Sequence, residues 1–170
     1  LVNIMLNAIL PGVGFGIAAA SLAGQSMGRG DLTDAARWPW DVYRVSLPVF
    51  GSIAAIALLL TDPLLTLFLR DPELVALGHL PLQLFGLGVL IDAIGLILMH
   101  ALLGAGAARL VMVVGVGMQW LLFLPLAYLL GPVMGLGLIA VWSAMLIYRG
   151  LQAVIFIAAW RDGAWKRIRL

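Results

Sequence analysis

The sequence predicts an all-α polytopic membrane protein with five transmembrane helices. Three observations carry that reading. Of 170 residues, 64% are hydrophobic and 11% are charged, against roughly 45–50% and about 25% in soluble domains. The apolar residues form long runs separated by charge, Gly or Pro, and a chain of this size cannot bury them all in one core. No run alternates with the period of two that a strand requires.

The first span covers residues 1–27 and contains Pro11, Gly12, Gly14 and Gly16, which neighbouring helices can accommodate in a bilayer. It closes at Gly28-Arg29-Gly30-Asp31. Asp31 and Thr33 are good helix N-caps. Trp38, Pro39, Trp40 and Tyr43 then read as an interfacial approach, at headgroup depth, to a second span over 42–60. Asp62-Pro63 opens a short apolar turn ending at Arg70. Asp71-Pro72-Glu73 supplies a cap, a proline at the first helical position and an acid in the first turn of a third span, 73–103. That span is about 45 Å long at 1.5 Å per residue, so it must tilt, bend near Gly86 and Gly88, or protrude. Gly104-Ala105-Gly106 ends it. A fourth span, 110–130, is separated by Gly131-Pro132 from a fifth, 133–160, and a basic tail, 161–170, follows.

With five spans the loops alternate sides. Arg29, Arg37, Arg109, Arg161, Lys166, Arg167 and Arg169 collect on one side, and Arg70 is the basic residue in the opposite loops. The positive-inside rule puts the first side, with the C-terminus, in the cytoplasm of a cell inner (plasma) membrane. The chain starts at Leu1 inside an apolar helix that would begin outside, without a signal peptide, so missing upstream helices are expected.

Composition excludes several functions. A net charge of +2 from scattered Arg and Lys leaves no basic groove, so no nucleic-acid partner is expected. With no cysteine there is no disulfide, thiolate metal site or cysteine nucleophile. The serines lack a nucleophile-elbow context, and the Gly-rich strings at 12–16 and 104–106 neither follow a strand nor match a nucleotide loop. An enzyme is therefore not expected, nor a metal or cofactor.

Asp92 is the acid placed deepest in a predicted span, roughly 18 Å along the helix from Gly104 and so near the midplane. A carboxylate there costs about 2.5–3.5 kcal/mol even on lenient insertion scales. It must face a wet cavity, pair with a cation or be protonated, which makes it a candidate cation or proton site. The competing reading is an Asp that only hydrogen-bonds a neighbouring helix. His100 is rotated about 80° from Asp92 and lies about 12 Å away, too far to pair with it, and it reads as an interhelical hydrogen-bonder. Asn3 and Asn7 share a helix face and Gln119 sits mid-span; such amides usually hold helices together and otherwise line a cavity. These three and His100 are the candidate cavity-lining residues. His79 reads as solvated, and Arg149 as snorkelling to the cytoplasmic interface on its long stem. The GxxxG spacings at Gly12/Gly16, Gly24/Gly28 and Gly131/Gly135 read as close helix packing.

The order of these landmarks resembles a known family. Pro11-Gly12-x-Gly14-x-Gly16-x-Ala18-Ala19-Ala20-Ser21-Leu22-x-Gly24-Gln25-x-Met27-Gly28-x-Gly30, followed by Ala35, Ala36 and Arg37, resembles the eighth helix and next loop of multidrug and toxic compound extrusion (MATE) transporters. Leu67-Phe68, Asp71-Pro72-Glu73, Leu102-x-Gly104-Ala105-Gly106, Gly135-x-Gly137, Val141-Trp142 and Gly163-x-Trp165-Lys166 continue it through nearly the whole chain. The resemblance implies a twelve-helix transporter of two six-helix lobes, in which these residues are helices eight to twelve. The five spans would form most of one lobe, and the N-terminal lobe would be a missing part of the same chain. It also implies efflux of small-molecule drugs or toxins, organic cations or amphipathic compounds, by antiport with Na⁺ or H⁺, with Asp92 resembling the tenth-helix acid that binds the coupling ion. The chain departs from the family at Leu103 and Ala107, where an Arg and an Asp are common, which puts in doubt a cytoplasmic charge contact. The rival readings are a lipid-linked oligosaccharide flippase of the same superfamily, which needs cavity bases, and a non-transporting membrane assembly subunit.

Overall fold

The computed structural model of the chain describes the backbone of residues 2–68 and 71–168 and the side chains of 10–67 and 71–168. The side chains of Asn3 and Asn7, and Arg70 and Arg169, lie outside the described residues. The described chain is helical, with no strand: α1 (Val2–Gly28), α2 (Leu32–Leu59), the short α3 (Thr61–Phe68), α4 (Pro72–Gly104), α5 (Ala108–Val133) and α6 (Gly137–Asp162), then a 3-10 turn over Ala164–Arg167. Among the described residues α2, α4, α5 and α6 are long and apolar enough to cross a membrane. Helix α1, the other expected span, has 27 residues.

The helix starts follow local chemistry. The Asp31 carboxylate accepts from the Asp34 amide at 2.9 Å and so caps α2; Asp71 accepts from the Glu73 amide at 2.9 Å, with Pro72 at the first helical position of α4. Each cap satisfies one of the backbone N–H groups that a helix start leaves free. Thr61 donates to the Ala57 carbonyl at 2.7 Å where α2 gives way to α3. Leu65 buries α3 against α2 and α4.

Three boundaries differ from those expected. Helix α2 begins at Leu32 and carries Pro39 and Pro48 inside it, so the stretch read as an interfacial approach is already helix. Tyr43 consequently lies well inside the helix, and its hydroxyl donates to the Leu90 carbonyl of α4 at 3.3 Å. Asp41 and Arg44 ride on the same helix and pair at 3.0 Å on its exposed side. Gly131-Pro132 does not separate two spans. Helix α5 continues through it to Val133, widening into π-helix at Met118–Phe123 and again at Leu129–Val133. The prolines explain the widening, since the rings of Pro125 and Pro132 crowd the carbonyls one turn back, at Leu121 and Tyr128, and remove an N–H donor. The reversal falls instead at residues 134–136, where Gly135 and Gly137 take φ of +63° and +78°, a region L side chains rarely enter.

Helix α4 is the centre of the fold and packs against α1, α2 and α6. It is apolar all round, as a helix surrounded by others must be. Toward α1 the approach is close: a Cβ on Gly16 would sit 2.6 Å from His100 Nδ1, one on Gly12 would sit 2.7 Å from a Leu96 methyl, and one on Gly104 would collide with the backbone of Ala20. Positions 12, 16, 20 and 24 thus present small residues, four apart, to Leu96, His100 and Gly104, which is the small-xxx-small packing by which membrane helices associate.

The connections α1–α2 and α4–α5 and the end of α6 share one layer. The Trp160 indole donates to the Ala36 carbonyl at 3.2 Å, Trp165 stacks on Trp160 with centroids 4.1 Å apart, and Arg161 lies over the Trp40 ring at 5.6 Å. In the α1–α2 loop the Asp34 carboxylate accepts from Ser26 at 2.6 Å and from the Trp38 indole at 2.9 Å. The basic residues sorted to one side by sequence, among those described, lie on these connections.

Candidate cation site

Gly88, Asp92 and Gly95 of α4, at i, i+4 and i+7, share one helix face. That face meets Leu146, Arg149 and Ala153 of α6. A Cβ on Gly88 would meet a Leu146 methyl at 2.5 Å, and one on Gly95 would meet Ala153 Cβ at 3.1 Å. The two glycines bring the helices together on either side of the acid, and between them Arg149 Nε donates to Asp92 Oδ1 at 2.9 Å. The side chains are 26% exposed for Asp92 and 31% for Arg149.

This pair corrects the reading of Arg149 as a snorkelling residue. Arg149 lies 14 residues before Gly163 and Asp92 lies 12 before Gly104, which at 1.5 Å per residue puts both about 20 Å from the same end of the bundle. An arginine stem does not span that distance. The guanidinium therefore turns to the one carboxylate at its own depth. A base is therefore present beside the acid in the interior. Each charge costs several kcal/mol to desolvate, and their mutual attraction in a low dielectric offsets that cost; removing one partner leaves the other uncompensated, at about 3–5 kcal/mol.

Three narrow clefts with room for water-sized groups, about 30, 20 and 20 Å³, adjoin the pair, each walled by both Asp92 and Arg149. Apolar residues complete them: Phe85, Trp142 and Met145 on one side, Met99 and Phe156 on another. Gln152 adds a polar wall. The ion pair therefore has apolar aromatic and methionine neighbours and clefts beside it wide enough for a water-sized group or an inorganic cation.

A polar ladder continues from Arg149 along α6. The Tyr148 hydroxyl, on a side chain buried to 5% exposure, donates to Gln119 Oε1 of α5 at 3.0 Å and accepts from Gln152 Nε2 at 3.4 Å. Phe123 stacks on the same ring at 5.1 Å. Gln119 thus serves helix contact, one of its two expected roles, and it does so from within the first π segment of α5. His100 Nδ1–H donates to the Leu96 carbonyl at 2.8 Å, and the ring packs against Gly16. The structure places it in the α1–α4 contact and not with Asp92. His79, half exposed, lies 3.4 Å from Asp62. No group of three or more His, Cys, Asp or Glu able to hold a metal ion occurs among the described residues.

Sequence reasoning missed Arg149 as the partner of Asp92, Gln152 as a wall of the adjoining cleft, and Tyr148 as the residue that ties Gln152 to α5. Depth counted from the shared end would have matched Arg149 to Asp92. For Tyr148 and Gln152 the signal was their spacing of four on one helix face.

Comparison with known proteins gives a consistent picture. The chain is 25% identical over 169 residues to a protein of Thermotoga maritima described as probable multidrug resistance protein NorM, covering 98% of this chain and 36% of that protein. It is 26% identical over 121 residues to the uncharacterized transporter YisQ of Bacillus subtilis, covering 68% of this chain and 26% of that protein. It therefore spans about a third or less of the length of these curated relatives. No solved structure matches it significantly. The sequence profile of the MatE family matches residues 2–129, from the start of α1 almost to the end of α5, and the chain belongs to that family.

Proposed function

We propose that these 170 residues are the C-terminal part of a secondary transporter, with no enzymatic activity. It exports organic cations or other amphipathic drugs and toxins in exchange for inward Na⁺ or H⁺. The observation that carries this reading is the Asp92–Arg149 pair in the middle of two long apolar helices, open to cavities with apolar walls. A carboxylate in such surroundings binds a drug cation or a coupling cation, and full binding of both at once is disfavoured, so the two are coupled by competition. The multidrug-resistance name of the Thermotoga maritima relative supports the substrate class. The share of that relative left uncovered supports a partner lobe, contributed by the same protein, that closes the cavity and rocks against this one. A lipid-linked oligosaccharide flippase is less well supported, because Arg149 is neutralised by Asp92 and the pair offers no net positive charge to a pyrophosphate.

The basic connections support an orientation in an inner membrane with the α1–α2 and α4–α5 loops and the tail in the cytoplasm. With no native cysteine, single cysteines at Arg29, Glu73 and Lys166 report it. An impermeant thiol reagent applied to intact cells labels position 73 and spares 29 and 166, and the reverse pattern excludes the orientation.

The function is tested in liposomes holding the full-length protein that carries these residues. An imposed Na⁺ or H⁺ gradient drives saturable movement of a fluorescent organic cation. Failure of either gradient to move any cationic or amphipathic dye, at confirmed insertion, refutes antiport.

A further inference from the structure

The way Arg149 holds Asp92 leaves much of both groups free. One nitrogen, Nε, meets one oxygen, Oδ1. Among the described residues that is the guanidinium's one hydrogen bond, and the second carboxylate oxygen has none. An arginine that locks a carboxylate structurally uses the planar fork, with two parallel bonds. Here both residues line the clefts beside the pair. The Arg149 side chain is 31% exposed, so it is not closed in on all sides, and Met145 and Leu146 are among the walls of the cleft beside it.

We propose that Arg149 is a tethered counterion, a reading that rests on the cation-antiport function above. Its guanidinium occupies on Asp92 the place that the transported cation takes. A cation arriving from the cavity displaces the guanidinium, and the guanidinium's return displaces the cation. No bond is made or broken covalently, and no net charge is left at the midplane when the site empties. The cost to the transporter is affinity: only the fraction of molecules with the pair open can bind, so the apparent dissociation constant is the intrinsic one divided by that fraction. The gain is release, because a site that bound at full strength would not let go. Arg149 acts through Asp92 and is in this sense a positioning residue for the site.

The test is equilibrium binding of ethidium, a monovalent organic cation, to the full-length protein in lipid nanodiscs, together with KM and turnover for gradient-driven ethidium efflux. Arg149→Gln should tighten binding about tenfold and lower KM and turnover together. Arg149→Lys, which keeps a charge but loses the planar donors, should fall between Gln and wild type, and it carries the test alone if the Gln variant does not fold. In the double variant Asp92→Asn/Arg149→Gln the tightening should vanish, since the arginine has nothing left to compete for. Binding in a folded Arg149→Gln or Arg149→Lys protein that equals wild type or is weaker overturns the tether and makes the pair a fixed bridge. Unchanged ethidium binding in Asp92→Asn is a different failure: it removes Asp92 as the cation site, and the antiport reading of this site goes with it.

Discussion

Helix α4 meets its neighbours along two seams that use glycine in different ways. Against α1, glycine and alanine recur every four residues, and the closest approach brings Gly104 onto the backbone of Ala20. His100, a polar side chain of α4 on this seam, turns back to bond its own helix at Leu96. Against α6, Gly88 and Gly95 bring the helices together only above and below Asp92, and the gap between them is filled by an ion pair with cavities around it. The first seam contains little that can move. The second contains a charged pair that holds together by one bond. A single central helix can therefore be fixed on one side and leave a working surface on the other.

The difference can be broken by substitution. Outside the ion pair, the largest expected effect on stability is at Gly104→Ala, where the new methyl meets backbone that cannot turn away; overpacking of this kind costs about 1–3 kcal/mol. It should appear as a thermal midpoint lowered by several degrees in detergent, and an unchanged midpoint would mean that α1 and α4 can part freely. Tyr148→Phe should cost less, about 0.6 and at most about 1.7 kcal/mol, the range for hydrogen bonds between membrane helices. It removes the hydroxyl that joins Gln119 to Gln152 and should leave ethidium affinity within twofold of wild type. A large loss of affinity would bring the ladder into the site itself. Gly88→Ala should have the smallest effect, within about 0.5 kcal/mol, because its new methyl meets the free end of the Leu146 side chain, which can rotate. A midpoint shift as large as that of Gly104→Ala would show the α4–α6 seam to be packed as rigidly as the other.

The helices were legible because lipid imposes a simple rule: a span needs about 20 apolar residues, and its ends need caps, charge or glycine. The caps at Asp31 and Asp71 were legible in the same way. The errors came where one residue obeys two rules. Pro132 beside Gly131 reads as a turn, yet inside a long apolar helix the chain relieves the proline by widening to π geometry and continues. Trp38 and Trp40 mark the end layer, and Tyr43, three residues further on, was grouped with them although it reaches α4 at Leu90. The pairing of Arg149 with Asp92 joins residues 57 positions apart. Local pattern shows such pairs only when depth is compared between spans.

The most direct measurement compares transport per inserted molecule in Asp92→Asn and Gly104→Ala, in liposomes with imposed ΔpH or ΔpNa. Asp92→Asn keeps the volume and hydrogen-bonding capacity of the side chain and removes its charge. The account predicts that it inserts near normally and loses gradient-driven efflux to background, and that Asp92→Glu keeps part of the activity. Gly104→Ala should keep most of the per-molecule rate despite its lower thermal midpoint. Efflux at the wild-type rate in Asp92→Asn, with unchanged ion dependence, would contradict the account and make Asp92 a packing residue of the α4–α6 seam.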